Sequence, residues 1–196
     1  MTEIAKYAEH PERCIGAHPY NPPHLIPLLE LTKGEKTTEE NIQTAYDLYK
    51  KIGKEPIILQ KEVLGFIANR LQMGLLREAC EMMMRGVCTV EDIDKALTYG
   101  PGLRWALMGT FMCLELSGGK KGIEGCINDL EPSWNLWLED MASWTKFPYE
   151  DWAHRAQLGM NDEIANREPE FCNNHDDIIR FRDDCLLDIL KMHNKL

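Results

Sequence analysis

The sequence predicts a mainly α protein whose first sixty residues form a short α/β segment, and three observations carry that reading. Strand-like apolar runs occur only before residue 61, in "RCIGA", "LLELT" and "EPIILQ". Between the second and third of these, Ile42, Ala45, Leu48, Tyr49 and Ile52 recur at helical spacing. After Gln60 the strand signals stop and helical patterns follow one another to the C-terminus. The expected division is therefore an α/β part over 1–60 and a helical part over 61–196.

Each element has a local reason. Thr37 and Glu40 form a capping box ahead of the first helical pattern, and Gly53 supplies its stop. Strand, helix and strand of this length make a βαβ unit, which implies parallel strands joined by a right-handed crossover. Three strands and one helix are too few for a doubly wound domain, so further strands are expected ahead of Met1. "GFIANRLQMGLLREACEMMMRG" is apolar around most of its circumference and reads as the buried central helix of a helical domain, about 33 Å long. Thr89 with Asp92 caps the next helix, which ends near Gly100. A Gly-Pro-Gly break leads into "LRWALMGTFMCLEL", and further helical patterns cover Ile123 to Met141, Tyr149 to Gln157 and Asp176 to Lys195. All five tryptophans lie between 105 and 152, which marks a large packed surface, either core or subunit interface.

Composition excludes several classes of function. With 44% hydrophobic and 28% charged residues, the 196-residue chain lies outside the range of disordered sequences and fits one domain, or a domain plus a fragment. Its net charge is −10, and residues 129–196 carry fifteen acids against seven bases, so that surface repels nucleic acid and anionic membranes. Seven scattered cysteines without a C-x-x-C pair predict reduced thiols, with neither a disulfide framework nor structural zinc. No uncharged apolar run approaches the roughly 18 residues of a spanning helix, and the N-terminus lacks the apolar middle of a signal peptide; a cytoplasmic protein is expected. His24, His154 and the "HDD" at 175–177 lack metal-ligand spacing, so no metal site is expected.

Chemistry concentrates in "GAHPYNPPHLIPLLEL", residues 16–31. His18 follows a strand, the place where open parallel sheets bind ligands, and Pro19, Pro22 and Pro23 stiffen the turn that would hold it. An imidazole so held suits proton transfer. Glu30 is the candidate to orient it, since a carboxylate on one ring nitrogen fixes the tautomer and steadies the imidazolium; the alternative, Glu30 facing solvent on an edge strand, fits the spacing equally. Asn69, early in the helix opening at Gly65, can donate to a substrate oxygen or bridge backbone.

Taken together, "GAHPYNPPHLIPLLEL" and "LQKEVLGFIANRLQ" resemble the H-x-x-N-P … E and G-F-x-x-N-R-L signatures of the 3-hydroxyacyl-CoA dehydrogenase family. "GPGLRWALMG" and "RFRDDCLLDILK" resemble its lambda-crystallin, L-gulonate 3-dehydrogenase and diketoreductase branch. The resemblance implies an NAD-dependent oxidoreductase with an N-terminal Rossmann domain and a helical domain that dimerises. By position it makes His18 the general acid/base, Glu30 its partner and Asn69 a substrate-oxygen contact. The fold class implied is mainly α: a Rossmann remnant over 1–60 followed by the family's all-α C-terminal domain over 61–196.

The chain also departs from the family. No G-x-G-x-x-G turn occurs in it, and "GGKKGIEG" at 118–125 follows a helix pattern rather than a strand. The parent enzyme is thus expected to use NAD, while this chain alone is expected neither to bind NAD tightly nor to turn over. A non-catalytic helical dimerisation module is the competing expectation. Where acyl-CoA members carry a G-x-P-M-G-P-F-E type segment, this chain has "GPGLRWALMGTFMCLE". Arg104 in that segment is a candidate clamp for a substrate carboxylate, which points to a small 3-hydroxy acid rather than a CoA thioester; pairing of Arg104 with an acid such as Glu115 is the alternative.

Overall fold

A computed structural model describes residues 1–196. Its elements run α1 (Thr2–Ala5), β1 (Ile15–Pro19), β2 (Leu28–Lys33), α2 (Glu39–Lys51), β3 (Glu55–Leu59), α3 (Ala68–Met84), α4 (Val90–Thr98), α5 (Pro101–Trp105), α6 (Thr110–Ser117), α7 (Gly122–Asp140), α8 (Trp152–Asn166) and α9 (His175–Met192). The chain divides into two compact units, Met1–Met73 with Asp183–Leu196, and Gly74–Arg182.

The first unit is built on a three-stranded sheet in the order β1-β2-β3. Central β2 alternates its faces: Leu29 and Leu31 pack with Ile42 of α2 to form the core, and Glu30 and Thr32 are buried on the other face. The covering stripe of α2 is Ile42, Ala45, Tyr46 and Tyr49. Leu48 and Ile52, expected on that stripe, are exposed, because the 3.6-residue period places 46 rather than 48 beside 42 and 49. The helix cap is Thr38, whose hydroxyl accepts from Asn41 N, whereas Thr37 donates to Cys14 O and accepts from Gly34 N. Gly53 ends the helix at φ +87°.

Strands β2 and β3 are parallel, as the βαβ reading requires, but β1 pairs antiparallel to β2 with His18 opposite Glu30. His18 therefore lies within a strand of a mixed sheet, and not beyond the carboxyl edge of a parallel one. The reason is connection length. Residues 20–27 are fewer than the roughly dozen that a parallel crossover needs, so the chain must turn back on itself. Lys54 braces this return by donating to Pro23 O and Ile26 O.

In the second unit, α3 supplies acids that hold the segment after α7. Glu81 Oε2 accepts from Trp144 Nε1 at 3.0 Å and Tyr149 Oη at 2.9 Å, Glu78 accepts from Ala142 N, and Arg85 pairs with Asp140. Phe147 stacks on Trp152 and tilts against Trp144, while Trp105 and Trp137 are exposed, so the tryptophans do not form one cluster. The expected buried central helix is also corrected: α3 begins at Ala68, buries only Cys80 fully, and exposes Leu71 and Met73, because neighbouring segments cover only part of its apolar circumference. The segment entered at the Gly-Pro-Gly break holds two short helices, α5 and α6, separated by residues 106–109. Thr89 and Asp92 form the expected capping box.

Helices α4 and α8 pack closely where Gly159 meets Val90; a Cβ on Gly159 would lie 2.4 Å from Val90 Cγ2. One turn further along both helices, Asp94 and Glu163 line the same cavity, and Glu163 Oε2 is buried with no hydrogen-bond partner. Burial first, then the Asp94 charge, pushes the Glu163 carboxyl up, with Glu91 adding to the rise and Arg167 and Lys95 opposing it; burial also pushes Asp94 up. A folded value above the unfolded one means that the stability contributed is full below the ordinary carboxylate range, near pH 4, and is lost as pH rises through the raised value. Glu163→Gln puts an uncharged amide where burial and the Asp94 charge oppose ionisation, so the variant should gain melting temperature relative to the parent as pH rises from about 4 to about 8, measured by circular dichroism.

Candidate active site

The site begins with a charge that has no access to water. Glu30 is fully buried in the central strand, yet its carboxylate has three partners. Oε1 accepts from Ile67 N at 2.9 Å and Ala68 N at 3.0 Å, the amides that open α3. Oε2 lies 3.0 Å from His18 Nδ1. A helix N-terminus presents unpaired donors and partial positive charge, which suits a carboxylate.

The approach of those amides depends on the turn before them. Gly65 and Phe66 both have positive φ, +77° and +50°. Glycine adopts this freely, whereas a bulky Phe there is strained and persists only where its surroundings hold it. Phe66 is held by its ring, 5.1 Å from the His18 ring and tilted 31° to it. The same turn thus aims two amides at Glu30 and walls one side of the imidazole.

His18 reaches the pair across the β1–β2 ladder, in register with Glu30. Gly16 shares its face of β1 and stands opposite Thr32, where a Cβ would come within 2.5 Å of Thr32 Cγ2. An ionised carboxylate only accepts, so Nδ1 carries the hydrogen and Nε2 is left with its lone pair, the form of imidazole that takes a proton. The His18 side chain is one-third exposed, enough for a substrate to meet it.

Asn69 joins the group through a residue that the sequence pattern did not single out. Tyr20 places its hydroxyl 2.9 Å from Asn69 Oδ1 and 2.6 Å from Gln72 Oε1, and its ring stands edge-on to His18 at 5.8 Å. Burial, then the Glu30 charge, pushes the Tyr20 phenol up. Gln72 had a signal available, since it lies three residues after Asn69 on the same helical face. Of the residues singled out from sequence, His18, Glu30 and Asn69 come together in the first unit. Arg104 lies on α5 of the second unit with an exposed side chain, and Glu115, its suggested partner, instead accepts from Ile123 N at 2.7 Å.

The turn between β2 and α2, where an α/β unit would cradle a phosphate, is already occupied by internal bonds. Gly34 N donates to Thr37 Oγ1 and Glu35 N to Thr2 Oγ1, and a Cβ on Gly34 would lie 3.2 Å from Thr2 N.

Replacing Glu30 by Gln tests the tautomer. The amide oxygen keeps the two α3 amides, its NH2 faces His18, and the ring hydrogen moves to Nε2. Nitrogen-15 shifts of the His18 ring should show Nδ1–H in the parent and Nε2–H in the variant, with a stability loss of about 1–3 kcal/mol for weakening bonds to a buried charge.

Comparison with known proteins matches two consecutive stretches of the chain. Residues 1–63 match "3-hydroxyacyl-CoA dehydrogenase, NAD binding domain" and residues 65–153 match "3-hydroxyacyl-CoA dehydrogenase, C-terminal domain". An L-carnitine dehydrogenase of Pseudomonas aeruginosa is 37% identical over 96% of this chain and 56% of its own length. One from Streptomyces coelicolor is 45% identical over 68% of this chain and 42% of its own. The chain thus spans about half the length of the curated relatives it matches. Among solved structures, 5-formyl-3-hydroxy-2-methylpyridine 4-carboxylic acid 5-dehydrogenase, an NAD+-dependent dismutase, is 26% identical with a TM-score of 0.75, covering 98% of this chain and 59% of its own. A 3-hydroxyacyl-CoA dehydrogenase of Archaeoglobus fulgidus, 22% identical with a TM-score of 0.58 over 100% of this chain and 64% of its own, shares the fold. Two consecutive matches to models of that family, together covering most of the sequence, show that this chain belongs to the 3-hydroxyacyl-CoA dehydrogenase family.

Proposed function

We propose that this chain carries the acid/base centre of an NAD-linked dehydrogenase acting on the 3-hydroxyl of a small 3-hydroxy acid. The observation that carries the reading is the buried Glu30 carboxylate, held by two helix-opening amides and fixing His18 with Nε2 available. In the oxidising direction, Nε2 of His18 takes the hydroxyl proton as the C–H hydride leaves, and Glu30 steadies the imidazolium. In the reducing direction the protonated ring returns it. Asn69 contacts the reacting oxygen.

The choice of a free acid is supported by the L-carnitine dehydrogenases, whose named substrate is a 3-hydroxy acid, and by the exposed guanidinium of Arg104 in a segment that departs from the acyl-CoA pattern. Residues 1–60 then serve as the closing part of the nucleotide domain and 61–196 as the substrate and dimerisation domain. Exposed Phe111 and Leu116 on α6, with Leu136 and Trp137 on α7, support self-association of the helical part into a homodimer.

NAD supplies the hydride acceptor in such an enzyme, but these residues do not fit its pyrophosphate. The β2–α2 turn has a single glycine and spends its amides internally. The isolated chain is therefore read as carrying the proton-transfer half without a cofactor cradle, which is the specific support for a second reading, a module that dimerises without catalysis.

One experiment separates the two. The chain is assayed with NAD+ and L-carnitine alone and after mixing with the separately produced nucleotide-binding half of the Pseudomonas aeruginosa relative. Neither turnover nor micromolar NADH binding is expected alone. Mixing should yield NADH, and His18→Asn should lower that rate by about 10²- to 10⁴-fold; equal rates for parent and His18→Asn would remove His18 from the mechanism. In the same assay Arg104→Met should raise KM for the free acid at least about tenfold, the worth of a lost bidentate ion pair, and leave a 3-hydroxyacyl-CoA largely unaffected.

A further inference from the structure

Tyr20 is a polar group of the site to which proton transfer assigns no task. Its position is nevertheless closely determined. It stands on the return between β1 and β2, stiffened by Pro19, Pro22 and Pro23 and braced by Lys54, and its hydroxyl lies within hydrogen-bond reach of two side-chain amides, 2.9 Å from Asn69 and 2.6 Å from Gln72.

A phenol has one hydrogen, so it can donate to one of two amide oxygens and no more. The set is satisfied when one amide turns over and donates its NH2 to the phenol oxygen, the two ends of an amide being alike in shape. Two arrangements result. In one, Gln72 donates to Tyr20, Tyr20 donates to Asn69 Oδ1, and the Asn69 NH2 points away from the phenol. In the other the chain of donors runs backwards and Asn69 presents its carbonyl. Gln72 has the longer side chain and the additional rotatable bond, and it is the amide freer to turn.

We propose that Tyr20 is a positioning residue that fixes the Asn69 carboxamide with its oxygen on the phenol and its NH2 outward, so that Asn69 acts as hydrogen-bond donor to the reacting substrate oxygen. This rests on the reading of His18 and Asn69 as the reaction centre. It follows chemically because the oxygen gains negative charge as His18 removes its proton, and only the donor end of an amide stabilises that charge. An amide free to flip would offer its carbonyl part of the time and repel it. The upward push on the phenol by burial and by Glu30 keeps Tyr20 protonated, and hence a donor, well above neutral pH.

Two variants test it. Tyr20→Phe removes the hydroxyl and keeps the ring beside His18. Gln72→Glu keeps a contact at the phenol but only accepts, so it draws the phenolic hydrogen away from Asn69 and turns the Asn69 NH2 inward. In side-chain amide spectra of the nitrogen-15-labelled 196-residue chain, the Asn69 NH2 pair should move in both variants, towards solvent-exposed amide positions in Tyr20→Phe, while backbone signals of β1 and β2 stay in place. In the mixed assay both should lower kcat about tenfold, the worth of one aligned hydrogen bond, with KM changed less than about twofold. Unmoved Asn69 signals, or an unchanged kcat, would overturn the assignment. A mixed parent protein without dehydrogenase activity would sink the reading of the site and the donor role with it, and the amide signals would still decide whether Tyr20 orients Asn69.

Discussion

A carboxylate with no solvent access is the constraint on which the first unit is organised. Stripping water from an isolated charge costs several kcal/mol even after the protein relaxes, far more than one neutral hydrogen bond returns. Three charge-assisted bonds, at about 1.5–3 kcal/mol each, are of the size needed to offset it. Glu30 collects them from two different sources: the amides of Ile67 and Ala68 on one oxygen and His18 on the other. Each source must arrive in the right place, and most of the local architecture can be read as the means of bringing them there.

On the His18 side that means is strand register. Because β side chains alternate, a slip of one residue between β1 and β2 would turn His18 to the other face of its strand and leave Glu30 opposite Ala17 or Pro19. On the helix side it is the left-handed turn at Gly65 and Phe66, which reverses the chain just before α3 so that its first free amides meet the carboxylate. This gives a physical content to the pattern G-F-x-x-N-R-L. The glycine allows the turn, the phenylalanine tolerates it because its ring packs on the imidazole, and the asparagine stands in the first turn of the helix thus launched.

Much of this was legible in the sequence, and the failures have definite causes. Short apolar runs and a helical stripe located all three strands and α2. The direction of β1 was misread because strand periodicity carries no sense of direction; only the shortness of residues 20–27 does. His18, Glu30 and Asn69 could be singled out as types of residue, but the choice between a buried and a solvated Glu30 needed the central place of β2, which depends on β1 and β3 pairing on either side. Tyr20 escaped because an aromatic in a proline-rich turn looks like packing, and its hydroxyl acquires meaning only when Asn69, 49 positions away, is brought to it. For α3, apolar content alone could not tell a helix buried within one chain from one whose apolar surface remains uncovered there.

The geometry also bears on how an acid/base centre and a cofactor site are related in such a protein. Every group that fixes the His18 tautomer lies within residues 1–73: the strand pair, the Gly65–Phe66 turn and the first amides of α3. None of them is borrowed from a phosphate-binding turn, and the β2–α2 turn spends its own amides on Thr37 and Thr2. Preorganisation of the imidazole is thus a property of local backbone and one buried charge, and it does not wait on a nucleotide to complete it. What a nucleotide would add is the hydride acceptor and its alignment with the substrate carbon, a contribution of proximity and not of acidity. The two demands can be met by separate stretches of chain, because a proton-transfer pair needs only its own hydrogen bonds, whereas a hydride must be delivered across a distance that two sites have to fix together.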